Sequence, residues 1–348
     1  MRIVHIAPKA PYNDNWGYQD NLLPKYQKKL GHDVTFITTN TMHKDGKIVE
    51  TDCADYLLND GVRVVRLRTK QYWHRVLTSQ NSKLEVYSYL CEIRPDFIFF
   101  HSLHGTTIFD AIKYKKRINP MCVIVRDNHI DYNIQYKAGN ISDFVSKYYQ
   151  RLLNFFANPY ITKVYGVTPW RKTYAQDYYG IPAKKTDVLI MGADDEKINF
   201  SKKADIRKKI RGQYKVSDTD FLIVTGGKID QKKKIHILMQ AVSNISDVKL
   251  LIFGQVNEDV REEFDRLLKL NGNIIYVGWI GADEVYNYFF SADLVMFPGQ
   301  HSVLWEQACA SKVPCVFEKW EGMDHVNNGG NSDFVSPITV ESVREKIK

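Results

Sequence analysis

The chain has 348 residues, 44% hydrophobic and 25% charged, a balance typical of globular proteins at a length that favours two domains. It contains no uncharged apolar run long enough for a membrane span, and its N-terminus turns polar too early for a signal peptide. Its five cysteines are scattered, without a Cys-x-x-Cys pair that would favour zinc or redox chemistry. We therefore expect a cytoplasmic protein with reduced thiols.

The net charge of +8 is unevenly distributed. Residues 1–195 contain 27 Lys and Arg against 19 Asp and Glu, whereas residues 196–348 contain 21 of each. A positive N-terminal half predicts an anionic partner such as nucleic acid, an acidic lipid surface or a phosphorylated substrate. The alternative is a solvated basic surface that serves solubility alone.

Short β-branched and aromatic runs alternate with helical stretches along the whole chain. In order, these predicted strands are RIVHIA, DVTFITT, VRVVRL, FIFFHS, VIVRD, KVYGV, DVLIMG, FLIVTGG, KLLIFG, IIYVGWI, LVMFPG and PCVFE. Between them lie amphipathic segments, among them residues 144–156 and 231–244. Continuous apolar strands separated by helices indicate parallel sheets covered on both faces.

Residues 196–220 are polar and contain no strand, so we place a domain boundary after residue 195. The predicted fold class is α/β, with two facing Rossmann-like, doubly wound parallel-sheet domains at residues 1–195 and 196–348. Sheets of this kind bind ligands at the carboxyl ends of their strands.

Gly17 lies just before a predicted helix that runs to about Leu30. A glycine there lets the backbone approach a ligand, and the N-terminus of a helix favours an anion. An ordinary turn is the alternative interpretation. The segment lacks the Gly-x-Gly-x-x-Gly pattern of dinucleotide enzymes, which argues against a dehydrogenase.

The segment GGKIDQKKKIHILMQA follows the predicted strand 221–227. Lys228 and Lys233 lie at and just beyond the carboxyl end of that strand, where two cations can neutralise a departing diphosphate. Lys232 and Lys234 are interpreted as solvated residues of a basic helix start.

The segment LVMFPGQHSVLWEQACASKVPCVF predicts a strand, a glycine turn, a short helix from about Ser302 and another strand. Free backbone N–H groups near His301 to Val303 could hold a phosphate. Glu306, one turn further on, could accept two hydrogen bonds from a ribose diol. Its apolar neighbours make a purely solvent-exposed role improbable.

Over nearly its whole length the chain resembles the retaining glycosyltransferases of family 4, glycosyl transferases group 1, which have the GT-B fold. The resemblance rests on Gly227, Lys228 and Lys233, on Tyr288, Ala292 and Asp293 before LVMFPG, on Gly278-Trp279-Ile280, and on the stretch 306–310. It implies an acceptor-binding domain at 1–195 and a nucleotide-sugar donor-binding domain at 196–348. The donor-binding residues that we infer are Gly17, Gly227, Lys228, Lys233, Trp279, Ile280, His301, Ser302, Val303 and Glu306.

The chain departs from the family pattern at two places. The family has a second glutamate eight positions before the ribose-binding one, where this chain has Pro298, so His301 or Ser302 could take over its contacts. The chain also ends soon after VESVREKIK, where the family continues with helices that return to the N-terminal domain, so we expect a truncated C-terminus.

Histidines and acids follow two predicted strands of the N-terminal half. FIFFHSLHG places His101 at a strand end, and VIVRDNHIDYN places Asp127, His129 and Asp131 after the next strand. Family members have a histidine that reaches the donor sugar at the position of His129, so the inferred catalytic set is His129, Lys228 and Lys233. His101 and Asp131 are assigned to the acceptor, with a structural role for His101 as the alternative.

The resemblance implies a front-face reaction in which the leaving diphosphate takes the acceptor's proton, so we name no protein nucleophile. Asp218-Thr219-Asp220 is similar to a metal-binding Asp-x-Asp motif, but it precedes a strand and is interpreted as a turn. We accordingly predict no metal and no cofactor, with the nucleotide-sugar as a substrate.

Residues 63–77, RVVRLRTKQYWHRVL, combine basic and aromatic side chains in a way that suits docking on an anionic membrane. The alternative is a solvated strand edge with a partly buried Trp73. The resemblance makes a glycan or lipid-linked sugar the natural acceptor, in cell-surface polysaccharide or glycolipid synthesis. Docking of this kind would place the protein at the inner face of the cell membrane.

Three other functions remain open at this stage. A sugar phosphorylase or nucleotide-sugar epimerase can share the architecture, and a non-catalytic sugar-binding relative would explain the missing glutamate. A nucleic-acid-binding protein could use the basic half, but no recognisable binding motif supports it, so nucleic acid is not a predicted partner.

Overall fold

A computed structural model describes residues 1–44, 47–71, 82–132, 141–243 and 245–348. The chain divides into two compact units, Met1–Ile190 and Met191–Lys348. The division falls five residues before the position chosen from composition, because the chain leaves the first sheet at Val188, before the segment MGADD.

The N-terminal unit is built on an eight-stranded sheet of order β12-β11-β10-β9-β1-β2-β6-β5, parallel except for β5. Its strands are β1 (Arg2–Ala7), β2 (Asp33–Thr39), β3 (Thr41–Lys44), β4 (Lys47–Glu50), β5 (Ala54–Leu57), β6 (Arg63–Leu67), β7 (Lys70–Gln71), β8 (Ser82–Lys83), β9 (Phe97–Phe100), β10 (Val123–Asn128), β11 (Lys163–Gly166) and β12 (Thr186–Val188). Its helices are α1 (Gln19–Lys29), α2 (Tyr87–Ile93), α3 (Ile108–Arg117), α4 (Ile141–Ala157) and α5 (Pro169–Tyr179).

The C-terminal unit is built on a six-stranded parallel sheet of order β15-β14-β13-β16-β17-β18. Its strands are β13 (Phe221–Ile229), β14 (Val248–Val256), β15 (Ile274–Gly278), β16 (Leu294–Phe297), β17 (Cys315–Glu318) and β18 (Ser332–Val335). Its helices are α6 (Lys203–Gln213), α7 (Ile235–Val242), α8 (Arg261–Leu270), α9 (Val285–Ser291), α10 (Leu304–Ala310) and α11 (Val340–Ile347).

Local sequence explains where several helices begin and end. Thr168 caps α5 by accepting a hydrogen bond from the backbone N–H of Arg171, Pro169 occupies the first helical position, and Gly180 ends the helix with a left-handed conformation. At α7, Asp230 instead caps a short 3-10 turn over 231–233, so the helix begins at Ile235, four residues later than the pattern predicted.

In each sheet the order of the strands reverses at one point, and the polar clusters described below lie near these two points. In the N-terminal unit the strand order reverses between β1 and β9, and in the C-terminal unit it reverses between β13 and β16. Helices leave opposite faces of the sheet at such a point, so a crevice opens at the carboxyl ends of the two strands.

The basic segment 63–77 is described only as far as residue 71. Arg63 pairs with Asp55 at 2.6 Å, and Arg66 is buried with its guanidinium 3.0 Å from Asp14. These two cations are therefore committed to ion pairs within the unit, while the predicted aromatic part of the segment lies outside the described residues. No helix in the described ranges is both long and apolar enough to cross a bilayer.

Candidate functional site

Two loops meet at the switch point of the C-terminal sheet, one after β13 and one after β16. The backbone N–H of Gln300 donates to the carbonyl of Lys232 at 3.1 Å, and Lys233 Nζ donates to the carbonyls of Gln300 and His301 at 2.5 and 3.2 Å. A Cβ on Gly299 would lie 2.4 Å from Lys233 Cα, so only glycine permits this approach. The two loops therefore form one hydrogen-bonded rim.

The predicted phosphate-binding lysines differ in their surroundings. Lys228 is 63% exposed in its side chain, with Nζ 3.4 Å from Asp230, so its cation is available at the end of β13. The ammonium group of Lys233 instead holds the rim together through two carbonyls. The solvated role expected for Lys234 is wrong, since Lys234 is paired with the buried Glu318.

Gly227 has a left-handed φ of 99°, and a Cβ there would lie 2.8 Å from Leu304 Cδ1. Glycine at this position thus lets the end of β13 pass close to α10. The helix itself begins at Leu304 with Val303 as its N-cap, two residues later than predicted, because His301 and Ser302 remain in the loop.

Glu306 is the centre of a buried cluster. His301 Nε2 and His325 Nε2 each lie 2.9 Å from Glu306 Oε1, and since a carboxylate only accepts, each Nε2 carries a hydrogen. Burial alone would raise the pKa of Glu306, but the charges and hydrogen bonds of the two histidines lower it to about 2. The carboxylate is therefore held ionised.

The same cluster contains polar atoms that lack partners. Within the described part of the chain, Glu306 Oε2 and His325 Nδ1 are buried and make no hydrogen bond. Buried polar atoms of this kind usually have a partner, and a polar ligand is one way to supply it. Oε1 already accepts two hydrogen bonds, so a diol would bind at Oε2, whose two lone pairs could accept both of the hydrogen bonds that the sequence predicted.

The remaining predicted donor residues lie after β15, in the loop between β16 and α10, and in the first unit. Trp279 directly follows β15 and is 62% exposed, while the next residue, Ile280, is buried. Ser302 is partly exposed, and Val303 is buried. Gly17 precedes α1 by two residues, as the sequence predicted for a helix start.

A chain of hydrogen bonds links three histidines and an aspartate in the N-terminal unit. His101 Nδ1 lies 2.8 Å from Asp127 Oδ2, and His101 Nε2 lies 2.9 Å from His5 Nδ1. His5 Nε2 in turn lies 2.6 Å from Gln27 Oε1, and His129 Nε2 lies 3.2 Å from Asp127 Oδ2. Strands β1, β9 and β10 are neighbours in the sheet, which brings these residues together.

The partners in this chain fix its protons. His5 donates to Gln27, so its Nδ1 accepts from His101, and His101 must then carry hydrogens on both nitrogens. The pKa values agree with these proton positions. Burial and the neighbouring His101 lower the pKa of His5 to about 3. Burial would also lower the pKa of His101, but the carboxylates of Asp127 and Asp20 outweigh burial and raise it. His101 is thus a buried imidazolium.

His129 is the partly exposed end of this chain. Its Nε2 donates to Asp127, so its Nδ1 is left to accept a hydrogen bond or a proton. Burial would raise the pKa of Asp127, but His101 and His129 lower it well below its usual value. Asp127 therefore orients His129 as an ionised partner.

Two neighbouring side chains, Asp131 and His104, have partners within the N-terminal unit. Asp131 is buried and accepts a hydrogen bond from Arg171 Nε at 3.2 Å, so its carboxylate ties the segment after β10 to α5. His104 is buried against the hydroxyl of Tyr179, and burial lowers its pKa to about 3.

Two of these clusters also have the geometry to hold a metal ion. The ligand atoms of Asp20, His101 and His129 lie within 4.8 Å of one another, as do those of His301, Glu306 and His325. Both histidines of the second group are hydrogen-bonded to Glu306, and those of the first group are both hydrogen-bonded to Asp127, so the absence of a metal remains a prediction.

Asp127, His5 and His325 are site residues for which sequence reasoning gave no role. Asp127 and His5 lie inside apolar strands, where a polar residue within a buried run is itself a signal of a partnered site. His325 lies seven residues beyond β17 in an irregular loop, and no pattern in the sequence marks its approach to Glu306.

Comparison with known proteins places these observations in a family. Residues 206–348 match the model of the family Glycosyl transferases group 1. This segment is a group 1 glycosyltransferase domain. The switch-point rim and the Glu306 cluster both lie inside the group 1 domain.

An uncharacterized glycosyltransferase of Methanocaldococcus jannaschii is 23% identical over 177 residues, which are 47% of this chain and 44% of that protein. The alignment thus spans less than half of the curated relative.

Solved structures extend the likeness to the whole chain. A glycosyltransferase from Rickettsia africae aligns with a TM-score of 0.70 at 16% identity, over 99% of this chain and 86% of that one. The sucrose-phosphate synthase of Thermosynechococcus elongatus gives 0.70 at 14% identity, over 100% and 89%. Anabaena HepE, in complex with UDP and glucose, gives 0.67 at 16% identity, over 100% and 89%. The chain has the GT-B fold, which confirms the predicted fold class.

Proposed function

We propose that this chain is a glycosyltransferase that moves a sugar from a nucleotide-sugar, bound by the C-terminal unit, to an acceptor bound by the N-terminal unit. The observation that carries the proposal is the Glu306 cluster. It lies in the group 1 domain, at the sheet's switch point, and contains an ionised carboxylate with an unpartnered buried oxygen. A hydroxyl of the donor would complete its hydrogen bonding.

The surrounding charges suit a nucleotide with a leaving diphosphate. Lys228 presents an exposed cation at the end of β13, and the rim that Lys233 holds sets the position of the loop before α10. A cation near the departing phosphates stabilises the negative charge that develops on them. The likeness to HepE, whose crystal structures contain UDP and UDP-glucose, makes UDP-sugars the first donors to test.

The N-terminal unit would contribute His129. Its side chain is partly exposed, and because Nε2 donates to Asp127, Nδ1 can accept a hydrogen bond from a sugar hydroxyl. Retention of the anomeric configuration is part of the proposal and rests on the sequence resemblance. The acceptor would be a glycan or a lipid-linked sugar, in polysaccharide or glycolipid synthesis, and the anionic membrane remains a proposed partner.

Donor turnover tests the proposal. The folded wild-type protein is incubated with UDP-glucose, GDP-mannose and ADP-glucose, and the free nucleoside diphosphate is quantified alongside the sugar products. We expect one donor to be consumed with release of its diphosphate, and we expect Glu306→Ala, but not the exposed control Glu345→Ala, to abolish the release. Conversion of one nucleotide-sugar into another without release would indicate an epimerase, and consumption dependent on inorganic phosphate would indicate a phosphorylase.

A further inference from the structure

Helix α4 has its polar and apolar faces inverted relative to an ordinary surface helix. Its buried stripe consists of Ser146, Gln150, Asn154 and Ala157. Its exposed stripe consists of Phe144, Val145, Tyr148, Leu152, Phe155 and Phe156, each between 36% and 70% exposed. At 3.6 residues per turn, these six residues span about 120° of the helix surface, opposite the buried stripe. We call them the α4 stripe.

Hydrogen bonds hold the polar face of α4 against the sheet. Asn154 accepts from Arg126 Nη1 at 2.7 Å and donates to the carbonyl of Leu103 at 3.1 Å, and Gln150 accepts from the backbone N–H of Gly105 at 3.2 Å. Rotating the helix to bury the α4 stripe would break these bonds and leave buried polar groups without partners. The orientation is therefore fixed by specific contacts.

The α4 stripe is large for an exposed surface. If a fully exposed aromatic side chain presents about 200 Å², its four aromatic residues expose about 480 Å² between them, and Leu152 and Val145 add to this. The largest apolar patch on a typical monomer measures about 300–600 Å² and is often a binding surface. The rings lie together in two pairs, with centroids 4.5 Å apart for Phe144 and Tyr148 and 5.4 Å apart for Phe155 and Phe156.

The charged side chains of α4 beside the stripe are positive. From Phe144 to its end at Ala157, the helix contains Lys147 and Arg151 and no Asp or Glu. Lys147 and Arg151 lie along one border of the stripe by their position on the helix. Beyond its C-terminal end, Lys185 donates to the carbonyls of Asn158 and Ile161. Burial and the charges of Lys184 and Lys115 lower the pKa of Lys185, which shows how closely these cations are grouped.

We propose that the α4 stripe is a docking surface for an anionic lipid bilayer. An exposed aromatic and aliphatic face bordered by lysine and arginine matches a helix that lies in the membrane interface, with rings among the acyl chains and cations at the headgroups. A second copy of this chain fits less well, because a symmetric contact would bring the same basic residues against each other. The docking predicted for segment 63–77 stays a separate prediction, because the aromatic part of that segment lies outside the described residues.

Co-sedimentation with vesicles tests this inference without donor or acceptor, so its outcome is independent of the proposed transferase activity. The full chain is mixed with vesicles of phosphatidylcholine alone or with phosphatidylglycerol added. We expect binding to the anionic vesicles, weaker binding to the neutral ones, and a loss of about tenfold or more in the double variant Leu152→Ser/Phe155→Ser. Leu270→Ser, which changes an equally exposed leucine in the other unit, should bind like the wild type.

Circular dichroism confirms that each variant is folded, which is expected because the substituted side chains are exposed. Lys184→Glu should weaken binding to anionic vesicles and leave binding to neutral vesicles unchanged. The proposal is overturned if the wild type does not sediment with anionic vesicles, or if the double variant sediments equally well. It is also overturned if sedimentation velocity shows a dimer that the double variant dissociates, since the stripe would then bind a second copy.

Discussion

Replacing Glu306 with glutamine tests the buried cluster through stability. The variant keeps the shape of the side chain but removes the charge that His301 and His325 stabilise. The folded-state pKa of Glu306 is about 2 against an ordinary value of 4.5. Each pKa unit is worth about 1.4 kcal/mol, so the ionised carboxylate contributes about 3 kcal/mol relative to its protonated form.

The pH dependence has a definite sign. Because the folded-state pKa is lowered, the contribution of Glu306 is complete above about pH 4.5 and is lost as the pH falls toward about 2. Urea unfolding of the C-terminal unit should show Glu306→Gln about 3 kcal/mol less stable than the wild type near pH 5. Near pH 3 the difference should shrink to about 1 kcal/mol, because Glu306 is then protonated in the unfolded wild type and folding must ionise it.

Glu345→Gln, on the exposed side of α11, is the matched control, and its unfolding free energy should stay within about 0.5 kcal/mol of the wild type at both pH values. A difference between wild type and Glu306→Gln that does not change between pH 5 and pH 3 would refute the reasoning. It would mean that the carboxylate is not held ionised by the two histidines.

Three further predictions concern the rim glycine Gly299, the partner of His101 and the exposed cation of Lys228. Gly299→Ala should destabilise the C-terminal unit by about 1–3 kcal/mol, because its Cβ would meet the Lys233 backbone, whereas Gly272→Ala, with nothing within 4 Å, should be neutral in thermal unfolding. Asp127→Asn should lower the pKa of His101 measured by NMR titration, since Asp127 stabilises that imidazolium; an unchanged pKa would refute the hydrogen-bond chain. Lys228→Ala should weaken nucleoside diphosphate binding about tenfold in calorimetry but leave nucleoside binding unchanged, and equal weakening of both would contradict a phosphate contact.

Most of the architecture could be predicted from the sequence because strands of buried parallel sheets are continuous apolar runs. All twelve predicted runs overlap strands of the structure, although DVLIMG shares only two residues with β12. The missed strands are short or polar, such as β18 and the hairpin of β3 and β4, and lack the apolar signal. Periodicity also predicted α4, but not which face it buries, since the polar contacts of Asn154 come from distant parts of the chain.

The candidate site could be predicted only in part. Lys228 was predicted from its position at the end of β13, and Glu306 from its position on the helix after β16, because the carboxyl ends of parallel strands converge. The partner of Glu306 in the loop after β17, His325, depends on a loop path that spacing cannot define. The role of Lys233 in holding the rim was missed for the same reason, because its acceptors are backbone carbonyls with no sequence signature.

Calorimetric titration with UDP, GDP, ADP and CMP tests the central claim most directly, since a donor site must bind a nucleotide even when the acceptor is unknown. We expect one of these nucleotides to bind the folded wild type and Glu306→Ala to bind it at least about tenfold more weakly, while Glu345→Ala is unchanged. If none binds a protein shown to be folded, or if Glu306→Ala binds as tightly as the wild type, the donor site is not at the Glu306 cluster.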